Sequence, residues 1–130
     1  MKTLFSVTAV IEAVTGLIFL ISPSLLVSIL LGVSVASAVE LLLARVAGAA
    51  LLSLGVACWL MRNEEKSEAT KGLTAAVLLY NIIVAMLLAY AGLGAHLSGA
   101  GLWPAVFIHI VLTIWCLLVL WRMKEILPVA

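Results

Sequence analysis

The run ELLLARVAGAALLSLGVACWLMR, from Glu40 to Arg62, is the feature that most constrains what this chain can fold into. It is almost entirely apolar, and about 20 apolar residues in a helix span a hydrocarbon core of about 30 Å. Its one internal charge is Arg45, and a cation within a bilayer costs at least ~2.5 kcal/mol unless water or a partner serves it. The run therefore predicts a membrane-spanning helix for which the rest of the chain must supply a partner.

Composition places the whole chain in the same class. Hydrophobic residues make up 66% of it and charged residues only 10%, which indicates an integral membrane protein in contact with the lipid bilayer. The net charge of +1 offers no basic surface for nucleic acid. Cys58 and Cys116 have neither metal-type nor CxxC spacing, so we expect no metal or redox site from this chain alone.

Four long apolar segments predict an all-α fold, a four-helix membrane bundle that forms one domain over residues 1–130. A polar run from Arg122 to Glu125 follows the last of them. The expected helices cover about 3–21, 39–61, 72–93 and 103–121.

Two local patterns surround the first connection. The segment 23–31 begins with Pro23, is too short to span and precedes Gly32, so it predicts a short interfacial helix. Ser37 and Glu40 then have the spacing of a capping box, which gives Glu40 a local structural role at the start of the second spanning helix.

Charges in the loops predict the orientation. The first and third loops contain no lysine or arginine, whereas the N-terminus, second loop and C-terminus do. The positive-inside rule therefore places both termini in the cytoplasm. The charged residues behind this prediction are Lys2, Arg62, Lys66, Lys71, Arg122 and Lys124.

Each predicted helix carries one strongly polar residue in the middle or outer half of the membrane, and their depths are similar. Ionisable groups there are expensive, so several that converge indicate a functional site by default. We expect Glu12 and Arg45 to pair. A closed interior, in which these groups only neutralise one another, is the competing interpretation. The candidate ligand-binding residues are Glu12, Arg45, Tyr80, Asn81, His109 and Thr113.

This polar layer favours a pocket, open toward the outer half of the membrane, that binds a small lipophilic or amphipathic ligand within a larger redox or transport system. Quinone is one candidate, since a carbonyl could accept from Arg45 or His109. No nucleophile with an oriented base is visible, so we do not expect an enzyme. The alternative is a structural or assembly subunit, or a homo-oligomer, in which the small-residue row Ala49, Ser53 and Ala57 contacts other helices.

In outline the chain resembles the DoxX-like group of small four-helix bacterial membrane proteins. The resemblance covers the first two helices: Glu12-x-x-x-Gly16, then Ser22-Pro23, then Arg45-Val-Ala-Gly48 continuing to Gly55. Some members of that group are thought to be subunits of systems that deliver electrons to quinone. The resemblance implies a multi-pass protein of the bacterial inner membrane.

The first helix is also similar to that of the small multidrug transporters, which carry one membrane-embedded glutamate. The setting here is Ala9-Val-Ile-Glu12-Ala-Val-Thr-Gly16. In those proteins the glutamate binds a proton or a cationic drug by turns, and a nearby arginine would keep it ionised and occupied. Arg45 therefore counts against proton-coupled export, which we keep as a second alternative.

Overall fold

The computed structural model describes residues 1–35 and 37–124, and within them the chain forms five helices and no strand. Four of the helices are long and apolar enough to cross a membrane, which confirms the predicted all-α, multi-pass four-helix fold. The predicted polar run up to Glu125 ends outside the described residues. The helices are α1 (Lys2–Ile21), α2 (Pro23–Leu31), α3 (Ala38–Met61), α4 (Glu68–Leu93) and α5 (Leu102–Lys124).

Reciprocal caps set the starts of α3 and α4. The expected capping box of α3 is present, with Ser37 and Glu40 each accepting from the other's backbone N–H at 3.2 Å. The start of α4 was predicted too late, at residue 72. Ser67 accepts from the Thr70 N–H at 3.3 Å and Thr70 Oγ1 accepts from the Ser67 N–H at 2.9 Å, so α4 begins in the charged segment. Threonine replaces the usual Glu or Gln of the capping box here, which hid the cap in the sequence.

The spanning helices pack as two pairs, α1 with α3 and α4 with α5. Glycines bring α1 and α3 together, since a Cβ built on Gly48 would lie 2.8 Å from the Gly16 carbonyl oxygen, and one on Gly55 2.9 Å from the Ala13 nitrogen. Ala49 and Ser53 of the predicted small-residue row stay exposed. Although α3 and α4 follow one another in the chain, each packs mainly on its own partner and leaves space between the pairs.

The short helix α2 ends at Gly32, whose φ of 72° is the left-handed conformation that glycine adopts without strain. The connection between α4 and α5 packs on this end of α2. The Gly101 N–H donates to the Ile29 carbonyl oxygen at 2.8 Å, and a Cβ on Gly99 would overlap that same carbonyl. The connection between α4 and α5 thus fixes α2 against the bundle.

A hydrophobic core fills the half of the bundle nearest the N-terminus. Both cysteines are free and fully buried in it, as small apolar fillers. The larger cavity between the helix pairs lies in the other half of the bundle. The buried members are Leu4, Phe5, Ala9, Cys58, Val77, Leu112 and Cys116.

Candidate functional site

A cavity of about 350 Å³ lies between the two helix pairs and is lined by all five helices. Its volume is at the small end of the range for ligand pockets, about 300 to 1,000 Å³. Three polar side chains interrupt an otherwise apolar wall: Thr15, Tyr80 and His109. The apolar lining consists of Ile11, Phe19, Leu26, Leu30, Ala47, Leu51, Val84, Leu88, Ala105 and Ile108.

The cavity occupies the half of the bundle away from the chain termini. It uses the second half of α1, the second half of α4 and the first turns of α5. Leu26 and Leu30, four residues apart on one face of α2, close it on one side. A chain with cytoplasmic termini would therefore have this cavity in the outer half of the membrane.

Glu12 lies behind the cavity wall and is only 1% exposed. The Tyr80 hydroxyl donates to Glu12 Oε2 at 3.1 Å, which connects α1 to α4 across the gap between the pairs. Within the described chain, Glu12 Oε1 and Thr8 Oγ1, one helical turn away, have no hydrogen-bond partner. A buried polar atom without a partner typically costs about 1 to 3 kcal/mol, so this corner of the site is held at a cost in stability.

Asn81 is fully buried and positions His109. Its amide Nδ2 donates to the Val77 carbonyl oxygen at 2.8 Å, while its Oδ1 is 2.7 Å from His109 Nδ1. The His109 ring meets Tyr80 edge to face, with centroids 5.7 Å apart. Thr113 donates to the His109 backbone carbonyl at 2.8 Å and so stabilises α5 locally.

The expected pair between Glu12 and Arg45 is wrong. Arg45 is exposed, and its Nε donates to the Leu20 carbonyl oxygen at 3.3 Å. Leu20 lies two turns beyond Glu12, about 12 Å along α1. The last carbonyls of a helix have no intrahelical partner, and a cation at that end interacts favourably with the helix dipole. Arg45 therefore caps the end of α1. The register of α3 against α1, with Gly48 at Gly16, brings the guanidinium to that end.

The six candidate residues thus separate into three pairs: two that line the cavity, two that are buried behind its wall and two that do neither. Tyr80 and His109 line the cavity, and the buried Glu12 and Asn81 hold those two side chains in place. Thr113 bonds only to its own helix, and Arg45 lies outside the cavity. The predicted convergence of Tyr80, Asn81 and His109 with Glu12 is present as a connected network, but without its cation.

Sequence reasoning missed two parts of the site. Thr15 lines the cavity but is not among the six residues that the sequence indicated. The closing face of α2 was also missed, although Leu26 and Leu30 have the spacing of one helical face. Leucine at that spacing occurs on any buried helix, so the pattern alone could not have assigned a cavity.

A family model described as "Domain of unknown function (DUF8292)" matches residues 6–128. The match includes all five helices apart from the first turn of α1. No curated protein and no solved structure matches the chain.

Proposed function

The chain belongs to the DUF8292 family, a domain of unknown function, and we propose that it is a ligand-binding membrane protein whose cavity takes a small lipophilic or amphipathic molecule. The observation that carries this proposal is the cavity of about 350 Å³ with Thr15, Tyr80 and His109 in an apolar wall. An apolar pocket with a few convergent polar groups is the usual form of a small-molecule site.

The network behind the wall supports binding over a purely structural interior. A closed, fully paired interior would satisfy its buried polar atoms, whereas Glu12 Oε1 and Thr8 Oγ1 are left without partners in the described residues. Tyr80 and His109 are also each hydrogen-bonded to a buried residue, Glu12 and Asn81 respectively. Fixed polar groups at an open space are what a site needs for orientation of a ligand.

The setting of this activity is part of the proposal. The resemblance to DoxX-like proteins favours the bacterial inner membrane, a quinone-type ligand and a role within a larger redox or transport system. The charges at both termini and in the loop before α4 favour cytoplasmic termini. Under that orientation the ligand would bind in the outer half of the membrane.

A thermal-shift comparison in detergent tests the proposal, because a ligand that binds only the folded state raises its stability by about 2.7 kcal/mol at 100 Kd. The panel contains quinones and their reduced forms, fatty acids and organic cations. Ala47→Phe fills the cavity, and Ala49→Phe places the same ring on the exposed face of the same helix.

We expect at least one class to stabilise the wild type and Ala49→Phe, and to lose its effect on Ala47→Phe. Equal stabilisation of both variants would indicate partition into the detergent or onto the surface. No stabilisation by any class would contradict the proposal and leave the second candidate.

That second candidate is an assembly subunit. It is favoured by the exposed small residues Ala49 and Ser53 on α3, where another membrane helix can approach closely. In that case Ala49→Phe, and not Ala47→Phe, would prevent co-purification of partner subunits or a second copy of the chain from native membranes.

A further inference from the structure

We propose that the cavity selects ligands that donate a hydrogen bond, such as a phenol or a hydroquinone, over ligands that can only accept one, such as a quinone or an ether. This inference rests on the proposed function and names the ligand class of the same site. It follows from the direction of each hydrogen bond in the wall.

The Asn81 side chain has one allowed orientation. Its Nδ2 lies 2.8 Å from the Val77 carbonyl oxygen, which can only accept. With the amide turned the other way, two oxygens would face one another at that distance. Asn81 therefore presents Oδ1, an acceptor, to His109 Nδ1 at 2.7 Å.

His109 must consequently carry its hydrogen on Nδ1. A neutral imidazole has one donor nitrogen and one acceptor nitrogen, so Nε2 is left as an acceptor. No carboxylate of the described residues contacts His109, and a second proton would place an unpaired cation in an apolar wall. His109 lines the cavity while its Nδ1 edge is turned to Asn81, which leaves the edge with Nε2 for a ligand.

Tyr80, whose ring packs edge to face on His109, also offers an acceptor to a ligand. Its hydroxyl hydrogen is directed to Glu12 Oε2 at 3.1 Å, so its oxygen can only accept from a ligand. Thr15 alone retains a hydroxyl that can donate. Two of the three polar groups therefore accept, and a ligand carbonyl placed against them would be left unpaired.

The expected preference for a donor over an acceptor ligand follows from the cost of leaving buried polar groups unpaired. A site that hydrogen-bonds a ligand hydroxyl rejects the analogue without it, because the buried groups of the site lose their partner. We expect a preference of about tenfold or more for the donor. A carbonyl that accepts from His109 or Arg45, as the sequence suggested for quinone, does not fit this geometry, since Arg45 lies outside the cavity and Nδ1 is occupied.

The first test uses para-butylphenol and its methyl ether, which have the same apolar body and differ in the donor. Binding to the purified protein is measured by calorimetry, with a butyl-substituted hydroquinone and its quinone as an anaerobic second pair. We expect the phenol to bind about tenfold or more tightly than the ether. His109→Phe should reduce the preference, because only the Tyr80 oxygen is left to accept, and should leave residual binding of the apolar body.

Failure of the inference and failure of the proposed function give different results. Equal binding of the phenol and the ether, both lost on Ala47→Phe, would overturn the donor preference and leave the ligand site standing. Binding of neither probe, nor of any other class in the thermal-shift panel, would overturn the proposed function and the inference with it.

A direct measurement of the tautomer covers the case in which His109→Phe does not fold. Heteronuclear NMR of isotope-labelled histidine distinguishes a protonated Nδ1 from a protonated Nε2, and the exposed His96 is removed by His96→Gln. We expect His109 in the Nδ1–H form in the wild type, and a change of its signals in Asn81→Leu, where the acceptor is lost. A wild-type His109 protonated on Nε2 would overturn the inference.

Discussion

Gly16 of α1 and Gly48 of α3 lie backbone to backbone, so that a Cβ on either would come within 2.8 Å of the other's carbonyl oxygen. Without a hydrophobic driving force between helices in lipid, such close approach supplies much of the association through van der Waals contact. The contact fixes α1 against α3 at the level of the cavity, with Thr15 on one helix and Ala47 on the other as lining neighbours of the glycines.

We predict that Gly48→Ala destabilises the protein by about 1 to 3 kcal/mol, as overpacking does, because only backbone and the first side-chain atom of Phe19 face the new methyl group. Gly72→Ala is the matched control. It has nothing within 4 Å of its Cβ position, and alanine in α4 should be neutral or stabilise by up to about 1 kcal/mol. Unfolding of both variants in detergent micelles measures the difference, and an unchanged Gly48→Ala would show that the helices are not in contact there.

Glu12 and Tyr80 should be coupled in stability. Tyr80→Phe leaves the buried carboxyl of Glu12 without its donor and should cost about 1 to 3 kcal/mol. Glu12→Met combined with Tyr80→Phe removes both partners, so the double variant should be less destabilised than the sum of the single variants, by at least about 0.5 kcal/mol. Denaturant unfolding of the four proteins gives this coupling energy.

Arg45→Met provides the control cycle. Because Arg45 caps α1 two turns away from Glu12, its effect and that of Glu12→Met should add to within about 0.5 kcal/mol. A coupling to Arg45 as large as that to Tyr80 would mean that the two charges meet in the membrane after all.

Topology gives the third prediction. Cysteines at the exposed positions Ser34 and Ser98 should react with an impermeant thiol reagent in intact cells, and one at the exposed Asn63 should react only after lysis. Asn63 suits this purpose because its side chain, unlike that of the nearby Ser67, does not cap α4. The native Cys58 and Cys116 are 0% exposed and should contribute little background. Labelling of Asn63→Cys alone in intact cells would reverse the orientation and move the cavity to the inner half.

The sequence by itself determined the number of spanning helices, the short α2 and its glycine end, and the cap at Ser37. Each depends on residues close together in the chain: a long apolar run, a proline and a glycine at fixed offsets, or a serine three residues before a glutamate. It also indicated that Glu12, Tyr80, Asn81 and His109 are polar groups that need partners inside the bundle, because a polar group in a spanning helix needs a partner wherever the helices lie.

Only the tertiary structure decided which partners these residues have. Arg45 and Glu12 have similar depths when each helix is measured from its own ends, but Gly16 and Gly48 set the register between α1 and α3 and bring Arg45 to Leu20 instead. The cavity likewise depends on α3 packing on α1 and α4 on α5, a choice made by contacts between residues distant in the chain. Depth follows from the rise per residue, whereas register and pairing follow from which surfaces fit, and those surfaces exist only after the helices meet.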